Sequence, residues 1–406
     1  MMSTIVATVS RRRLLQSIVG STALAPGLRG EVQPKKAVIF IPGVMGSTFQ
    51  VGTQQVWPRE IEGLWHTLAR NPPLLGLPEA TATGILDLAV IPVFKDRVFY
   101  QKILQVHHRI PAFEGAVMWP FSYDWRQDFD LILPRFQEAV RAQFGIQYEN
   151  GRATRQPEWE FHVIGHSMGA LVALLAAHRG LIHETNIRKL ILIAPPLAGS
   201  PEIFRFTFDG IPLIDEFVKN ILACFVWGIF SKEGNLHDII AARQCTYNLT
   251  PPETVDFLSL PGPTDRLRRA TTIRTNPFRD NAVAHPFDDR ARRNHAEIKA
   301  ALLGLPQKFG PESVHLLYGD NIPTPEVYDV RRIVRPDGRR SYAHVETFDP
   351  VPGDGTVTLN SALYLHDTSV NVRMTLTCQP FSNVEHSTIC EDGDVQEYIE
   401  GVLSSR

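Results

Sequence analysis

Apolar and polar positions fall along this chain in short apolar runs separated by longer segments with apolar residues every three or four positions. Ala37–Ile41 is an uninterrupted apolar run stopped by Pro42-Gly43, and Gly115–Trp119, Phe161–Ile164, Leu190–Ala194 and Ser313–Tyr318 are similar. Runs this short, ended by Gly or Pro, read as buried strands. Asn371–Cys378 alternates apolar and polar residues, the pattern of a half-buried strand. Phe99–Val106 and Leu131–Phe144 carry apolar residues at helical spacings of three and four, and the small-residue, Leu-rich Ala170–Ala177 and the closing segment Val395–Leu403 also read as helices. Strands alternating with helices predict an α/β fold with a mostly parallel central sheet flanked by helices. Two stretches break the alternation. Thr48–Gly84 is loop-rich, with Trp57, Pro58, Trp65, Pro72, Pro73 and Pro78. Pro201–Pro311 mixes Phe, Pro and Arg without a clear period and reads as an insertion, or cap, rather than sheet.

Composition changes this picture little: 44% hydrophobic and 21% charged residues are ordinary for a globular chain. The formal net charge of -2 argues against a general nucleic-acid binder. The N-terminus is different. Ser10–Gln16, with Arg11, Arg12 and Arg13, resembles a bacterial twin-arginine export signal; an apolar stretch follows from Leu14 to Ala25, and Ala23-Leu24-Ala25 offers a cleavage site. Residues 1–30 are therefore expected to direct the chain to the periplasm or outside the cell; the alternative is a basic tail on a cytoplasmic protein. No uncharged apolar run reaches the roughly 18 residues of a spanning helix. Ile221–Phe230 comes nearest and suits a buried cap helix or a membrane-surface contact. Four cysteines allow two disulfides in an oxidising compartment, with Cys224–Cys245 and Cys378–Cys390 the sequence-local pairing; the alternative is four free thiols. None has metal-site spacing with histidine, so neither zinc nor any other cofactor is expected.

The chemistry centres on Gly165-His166-Ser167-Met168-Gly169, placed between a predicted strand and a predicted helix. In that setting G-x-S-x-G is a nucleophile elbow, which exposes the serine hydroxyl at a helix N-terminus; otherwise Ser167 merely caps the helix. A serine needs a base, usually a histidine oriented by a carboxylate, and on this elbow the order is Ser, acid, His. Asp354, in Pro352–Val357, fits the acid, with Asp349 and Asp320 as rivals. His386, after the last strand and before the last helix, fits the base. His344 precedes Asp354 and His366 precedes the final strand, so both fit the order less well. The oxyanion needs two amides: that of Met168, and that of Val44 in Pro42–Gly46, the loop after the first strand.

Three further segments resemble the lecithin:cholesterol acyltransferase family. Val38–Ser47 (VIFIPGVMGS) looks like its opening strand and oxyanion loop, and Phe121–Arg126 contains its Y-D-W-R. Gly353–Leu363 (GDGTVTLNSAL) looks like its catalytic-aspartate loop, with Leu317–Thr324 similar to the stretch ahead of it. The resemblance implies an α/β-hydrolase fold with a cap insertion and a lid loop. The core would comprise residues 31–200 and 312–406, with the lid at about 48–84 and the cap at 201–311. It implies a Ser167–Asp354–His386 triad, with Asp124 and Arg126 structural. Animal members close the early lid with a disulfide; Thr48–Gly84 contains no cysteine. The activity implied is that of a serine-dependent lipid ester hydrolase or acyltransferase, with a lipid or acyl-ester substrate, an alcohol as a second acceptor, and transient contact with a membrane surface. Esterases, peptidases and polyester depolymerases share such a triad, and a non-catalytic binding module shares the fold.

Overall fold

The computed structural model describes residues 33–57, 81–86, 88–89, 97–203, 247–252, 254–255, 257–261, 267–270, 288–334, 340–347 and 350–405. The elements below belong to a unit spanning Lys35–Arg406. Six strands make the central sheet: β1 (Lys35–Ile41), β2 (Val117–Pro120), β3 (Trp159–His166), β4 (Ile187–Ile193), β5 (Val314–Asp320) and β6 (Thr377–Ser382). Their spatial order is β6-β5-β4-β3-β1-β2, and every neighbouring pair is parallel. Both faces of the inner strands are covered. Ala37, Ile39 and Ile41 of β1 pack into one apolar cluster, while Val38 and Phe40 pack into the other. That two-sided burial is why the sequence shows continuous apolar runs instead of alternation.

Helices α1 (Phe129–Phe144), α2 (Met168–Arg179) and α3 (Asp288–Lys308) contribute to the first cluster, whereas α4 (Gly393–Ser404) and residues 101–113 contribute to the second. The ten residues Met168–Ala177 of α2 are all buried, which explains a helix that is apolar all round. From β1 the chain leaves to the edge strand β2, then returns to β3 on the other side of β1 and continues outward through β4, β5 and β6. The direction of travel reverses between β1 and β3. In parallel α/β sheets ligands bind outside the carboxyl ends of the strands at such a switch point.

Several local expectations change. The alternation read over Asn371–Cys378 is a one-turn helix, Val372–Thr375, followed by β6. Met374 is 81% exposed while Val372 and Leu376 are buried, so the four-residue spacing prevails over the two-residue one. Phe99–Val106 contains only a short helix, Gln101–Leu104, followed by a 3-10 turn. Within Thr48–Gly84, Ser47–Val51, Gln54–Trp57 and Thr81–Ile85 form a three-stranded antiparallel sheet. Helix α3, inside the stretch 201–311, had no apolar signature because its buried stripe includes Asn294 and His295 besides Ala291, Ile298, Ala301, Leu302 and Leu305.

Cys378 and Cys390 do not pair; both are free thiols. Cys378 packs with the first apolar cluster and Cys390 lies in the second, so the sheet separates them. Burial pushes the Cys378 thiol up to about 11 and holds that of Cys390 well above its ordinary value. Cys224 and Cys245, the export segment 1–30, Trp65, Pro58, Pro72, Pro73, Pro78, Ile221–Phe230 and Asp349 lie outside the described residues. Among the described residues no helix is long and apolar enough to cross a membrane.

Candidate active site

Ser167 sits at the switch point, between the last residue of β3 and the first of α2. Its backbone has φ 54° and ψ -126°, a region that side-chain-bearing residues seldom adopt and that costs of order 1–3 kcal/mol. The turn is held by the Ser167 amide, which donates to the Ile193 carbonyl at 2.9 Å, and by the Ser167 carbonyl, which accepts from the Ala170 amide at 2.9 Å. The flanking glycines are required by close approach. A Cβ on Gly165 would lie 2.5 Å from the Gly169 carbonyl oxygen, and one on Gly169 would lie 2.2 Å from that of Ile41. The serine side chain does not cap the helix.

His386 follows β6. Its Nε2 is 2.9 Å from Ser167 Oγ and its Nδ1 is 2.7 Å from Asp354 Oδ2. Asp354 comes from the short strand pair Ile322–Thr324 and Val351–Gly353 beside β5. Its Oδ1 accepts from the Thr356 and Val357 amides at 3.0 and 2.7 Å. The His386 amide donates to the Asp354 carbonyl at 2.9 Å. All three residues are buried: Ser167 is 8%, Asp354 3% and His386 9% exposed. An ionised carboxylate can only accept, so the proton of a neutral His386 is on Nδ1 and Nε2 is an acceptor for the serine hydroxyl. This is the arrangement required to take a proton from Ser167 as its oxygen attacks.

The rival residues are engaged elsewhere. Asp320 Oδ1 accepts from the Asn321 amide at 2.6 Å, and the His366 ring packs edge-on against Tyr364 at 4.3 Å. The side chain of His344 lies outside the described residues.

The loop after β1 runs alongside the serine: a Cβ on Gly43 would lie 2.9 Å from Ser167 Cβ. Gly46 donates to the Gly43 carbonyl at 3.1 Å, closing a tight turn around Val44 and Met45, while the Val44 amide donates to no backbone acceptor among the described residues. Met168 is the first residue of α2, where helical geometry leaves amides without an internal acceptor. Tyr123 braces this loop, its hydroxyl donating to the Pro42 carbonyl at 2.8 Å and its amide to Ser47 Oγ at 3.1 Å. Arg126 and Asp124 form a two-pronged buried pair, each prong 2.7 Å, with the guanidinium 4.6 Å from the centre of the Phe49 ring.

The model of the lecithin:cholesterol acyltransferase family matches residues 76–221, a span that includes Tyr123–Arg126 and the elbow at Ser167. Over that span the chain is similar to the lecithin:cholesterol acyltransferase family, and its parallel six-stranded sheet with flanking helices is an α/β-hydrolase fold. Among solved structures it is similar to the Tle4–Tli4 complex, with 14% identity, a TM-score of 0.58, and coverage of 92% of this chain and 98% of that one, a likeness of fold. Also similar are an alpha/beta hydrolase from Novosphingobium aromaticivorans (14% identity, TM-score 0.33, 91% and 89% covered) and the NocB thioesterase domain from the nocardicin cluster (11%, 0.31, 91% and 94%). No curated protein matches the chain.

Within this fold, two polar side chains that sequence reasoning passed over lie beneath the site. Tyr100 and His166 are 5% and 4% exposed, and the Tyr100 hydroxyl is 2.9 Å from His166 Nδ1. Burial, followed by the neighbouring His386, holds His166 well below the usual imidazole range, and burial raises the Tyr100 phenol. Both are thus neutral at ordinary pH. His166 occupies a variable position of the G-x-S-x-G motif, which carries no signal for a role. Tyr100 lies within Phe99–Val106, a stretch whose periodicity predicts only a helix.

Proposed function

We propose that this protein is a serine-dependent lipid ester hydrolase or acyltransferase that works through an acyl-enzyme on Ser167. The observation that carries the reading is the continuous hydrogen-bonded line from Ser167 Oγ through the His386 ring to Asp354, placed at the switch point of the sheet. Ser167 Oγ attacks the acyl carbonyl carbon while its proton passes to His386 Nε2. Asp354 stabilises the imidazolium that forms, and the amides of Val44 and Met168 receive the oxyanion. Collapse of the tetrahedral intermediate breaks the bond to the leaving alcohol, which takes the proton from Nε2. Water or a second alcohol then gives its proton to His386, attacks the acyl carbon and releases Ser167 with its hydroxyl restored.

The lipid nature of the acyl donor rests on the family match, because the triad itself serves any acyl ester. Hydrolysis and transfer differ only in the second nucleophile, and residues 201–311, read as a cap, are where exclusion of water in favour of an alcohol would be decided. The Ser10–Gln16 segment supports action in the periplasm or outside the cell. Two measurements test the proposal: labelling by a fluorophosphonate probe, and mass spectrometry of the products from mixed phospholipids and glycerides with and without an added alcohol. Loss of labelling in Ser167→Ala is expected. Full labelling of that variant would remove Ser167 as the nucleophile, and intact lipids throughout would remove the lipid assignment.

A further inference from the structure

We infer that Tyr100 and His166 are positioning residues that fix the catalytic base against the oxyanion loop through one directed chain of buried hydrogen bonds. The inference rests on the Ser167–His386–Asp354 reading above. The Gly43 amide donates to the Tyr100 hydroxyl at 3.2 Å. A phenol has one proton, and with the Gly43 amide supplying the donor on one side, that proton goes to His166 Nδ1, 2.9 Å away. Neutral His166 therefore carries its own proton on Nε2, which is 3.1 Å from the carbonyl oxygen of His386. Every donor in the chain meets an acceptor, and the direction of each bond follows from the one before.

The ends of the chain give it a purpose beyond packing. Gly43 adjoins Val44 in the loop after β1, and His386 is the base, carried on the loop after β6. In the sheet β6 is separated from β3 by β5 and β4, so the His386 loop has to reach back across two strands to meet Ser167. Among the described residues the His386 main chain is held on one side by its amide bond to the Asp354 carbonyl and on the other by the bond from His166. His166 is covalently joined to Ser167, so this second bond sets the distance between base and nucleophile. The rings make the same connection: His166 lies 4.9 Å from His386 and 5.6 Å from Tyr100, which in turn packs at 5.0 Å on Phe40 of β1. Neutrality matters here as well, because a charged His166 at that distance would oppose the imidazolium that His386 becomes during each transfer.

The test compares Tyr100→Phe, His166→Phe and His166→Gln with the wild type in the full chain. Gln keeps an N–H donor that reaches the His386 carbonyl, whereas Phe keeps the volume and loses the donor. The readouts are kcat and KM on a chromogenic acyl ester, the second-order rate of fluorophosphonate labelling, and the thermal midpoint. A misplaced base costs up to about 100-fold. The expected losses in kcat and labelling rate are therefore roughly 10-fold for Tyr100→Phe and roughly 100-fold for His166→Phe, with KM within about twofold. His166→Gln is expected to recover most of the loss even if its thermal midpoint falls as far as that of the Phe variant. Wild-type kcat in Tyr100→Phe, which changes one buried hydroxyl, overturns the inference even if His166→Phe fails to fold. So does a Gln variant no more active than Phe, or a loss confined to KM. A wild-type protein unlabelled at Ser167 would instead overturn the underlying reading of the nucleophile, and this inference with it.

Discussion

Replacing Asp354 by Asn is the sharpest probe of the proposed base, because the structure dictates which way the new amide points. Asp354 Oδ1 is held by two backbone donors, Thr356 at 3.0 Å and Val357 at 2.7 Å, and Oδ2 faces His386 Nδ1 at 2.7 Å. In Asp354→Asn the carbonyl oxygen keeps the two amide donors, since an NH2 there would meet donor against donor. The NH2 group is thereby aimed at Nδ1 and can only donate. Nδ1 must then accept, which moves the imidazole proton to Nε2, facing Ser167 Oγ 2.9 Å away. A base whose lone pair is already occupied by a proton cannot deprotonate the serine, and the stabilising carboxylate is lost as well. A wrong-tautomer substitution of this kind costs about 10⁴ in kcat, close to 5 kcal/mol in the barrier. Folding stability should change much less, by roughly 1–2 kcal/mol, because the two amide bonds survive and one charge-assisted bond becomes a neutral one. The assay is steady-state hydrolysis of a chromogenic ester alongside urea unfolding of the same preparations. A kcat within tenfold of wild type in folded Asp354→Asn would refute the argument, and would return the acid to one of the other aspartates.

Three further outcomes follow from the packing. Gly169→Ala places a methyl 2.2 Å from the Ile41 carbonyl and 2.3 Å from that of Pro42, so β1 or α2 must shift; urea unfolding should show a loss of about 3 kcal/mol, and an unchanged midpoint would contradict the close approach. Arg126→Met leaves the buried Asp124 carboxylate without its two-pronged partner and should cost roughly 3–5 kcal/mol in the same assay, whereas a loss below about 1 kcal/mol would mean that the pair is dispensable. Burial, opposed by the bond from His295 Nε2 to the Thr250 carbonyl, lowers His295 to about 4. A histidine depressed in the folded state gives stability that is present above the unfolded value of about 6.5 and lost as pH falls towards about 4, a difference of roughly 3 kcal/mol. Wild type should therefore lose that much more than the non-titrating His295→Gln between pH 7 and pH 4, and parallel pH profiles would show that His295 is not the group responsible.

What the sequence revealed follows from how each feature is constrained. Central strands buried on both faces can only be written as apolar runs, so β1, β3, β4 and β5 were readable within a few residues. The elbow was readable because backbone atoms at 2.2 and 2.5 Å leave no alternative to glycine at 165 and 169. Asp354 and His386 were reached by chain order and by resemblance, and the structure brings both to Ser167. Helix α3 was hidden because its inner stripe satisfies polar side chains: Asn294 donates to Asn248 at 2.9 Å and His295 to the Thr250 carbonyl at 2.6 Å. Buried and partnered, such residues break the apolar periodicity without breaking the helix. The pairing of Cys378 with Cys390 failed for a related reason, since closeness in sequence says nothing about which face of a sheet each residue joins.

The same distinction separates Ser167 from the groups that support it. A nucleophile at a strand-to-helix turn needs particular neighbours along the chain, and those neighbours form a motif. Tyr100 and His166 act through bonds that span 57 residues to Gly43 and 220 residues to His386, so no local pattern records them. Their placement is nonetheless tightly determined, because each is buried and each has one acceptable direction of hydrogen bonding. Sequence order therefore names the atoms proposed to react, and the buried polar connections between distant loops hold those atoms within reach of one another. In this fold the connections converge on the reversal between β1 and β3, where two loops and one helix N-terminus meet without a strand between them.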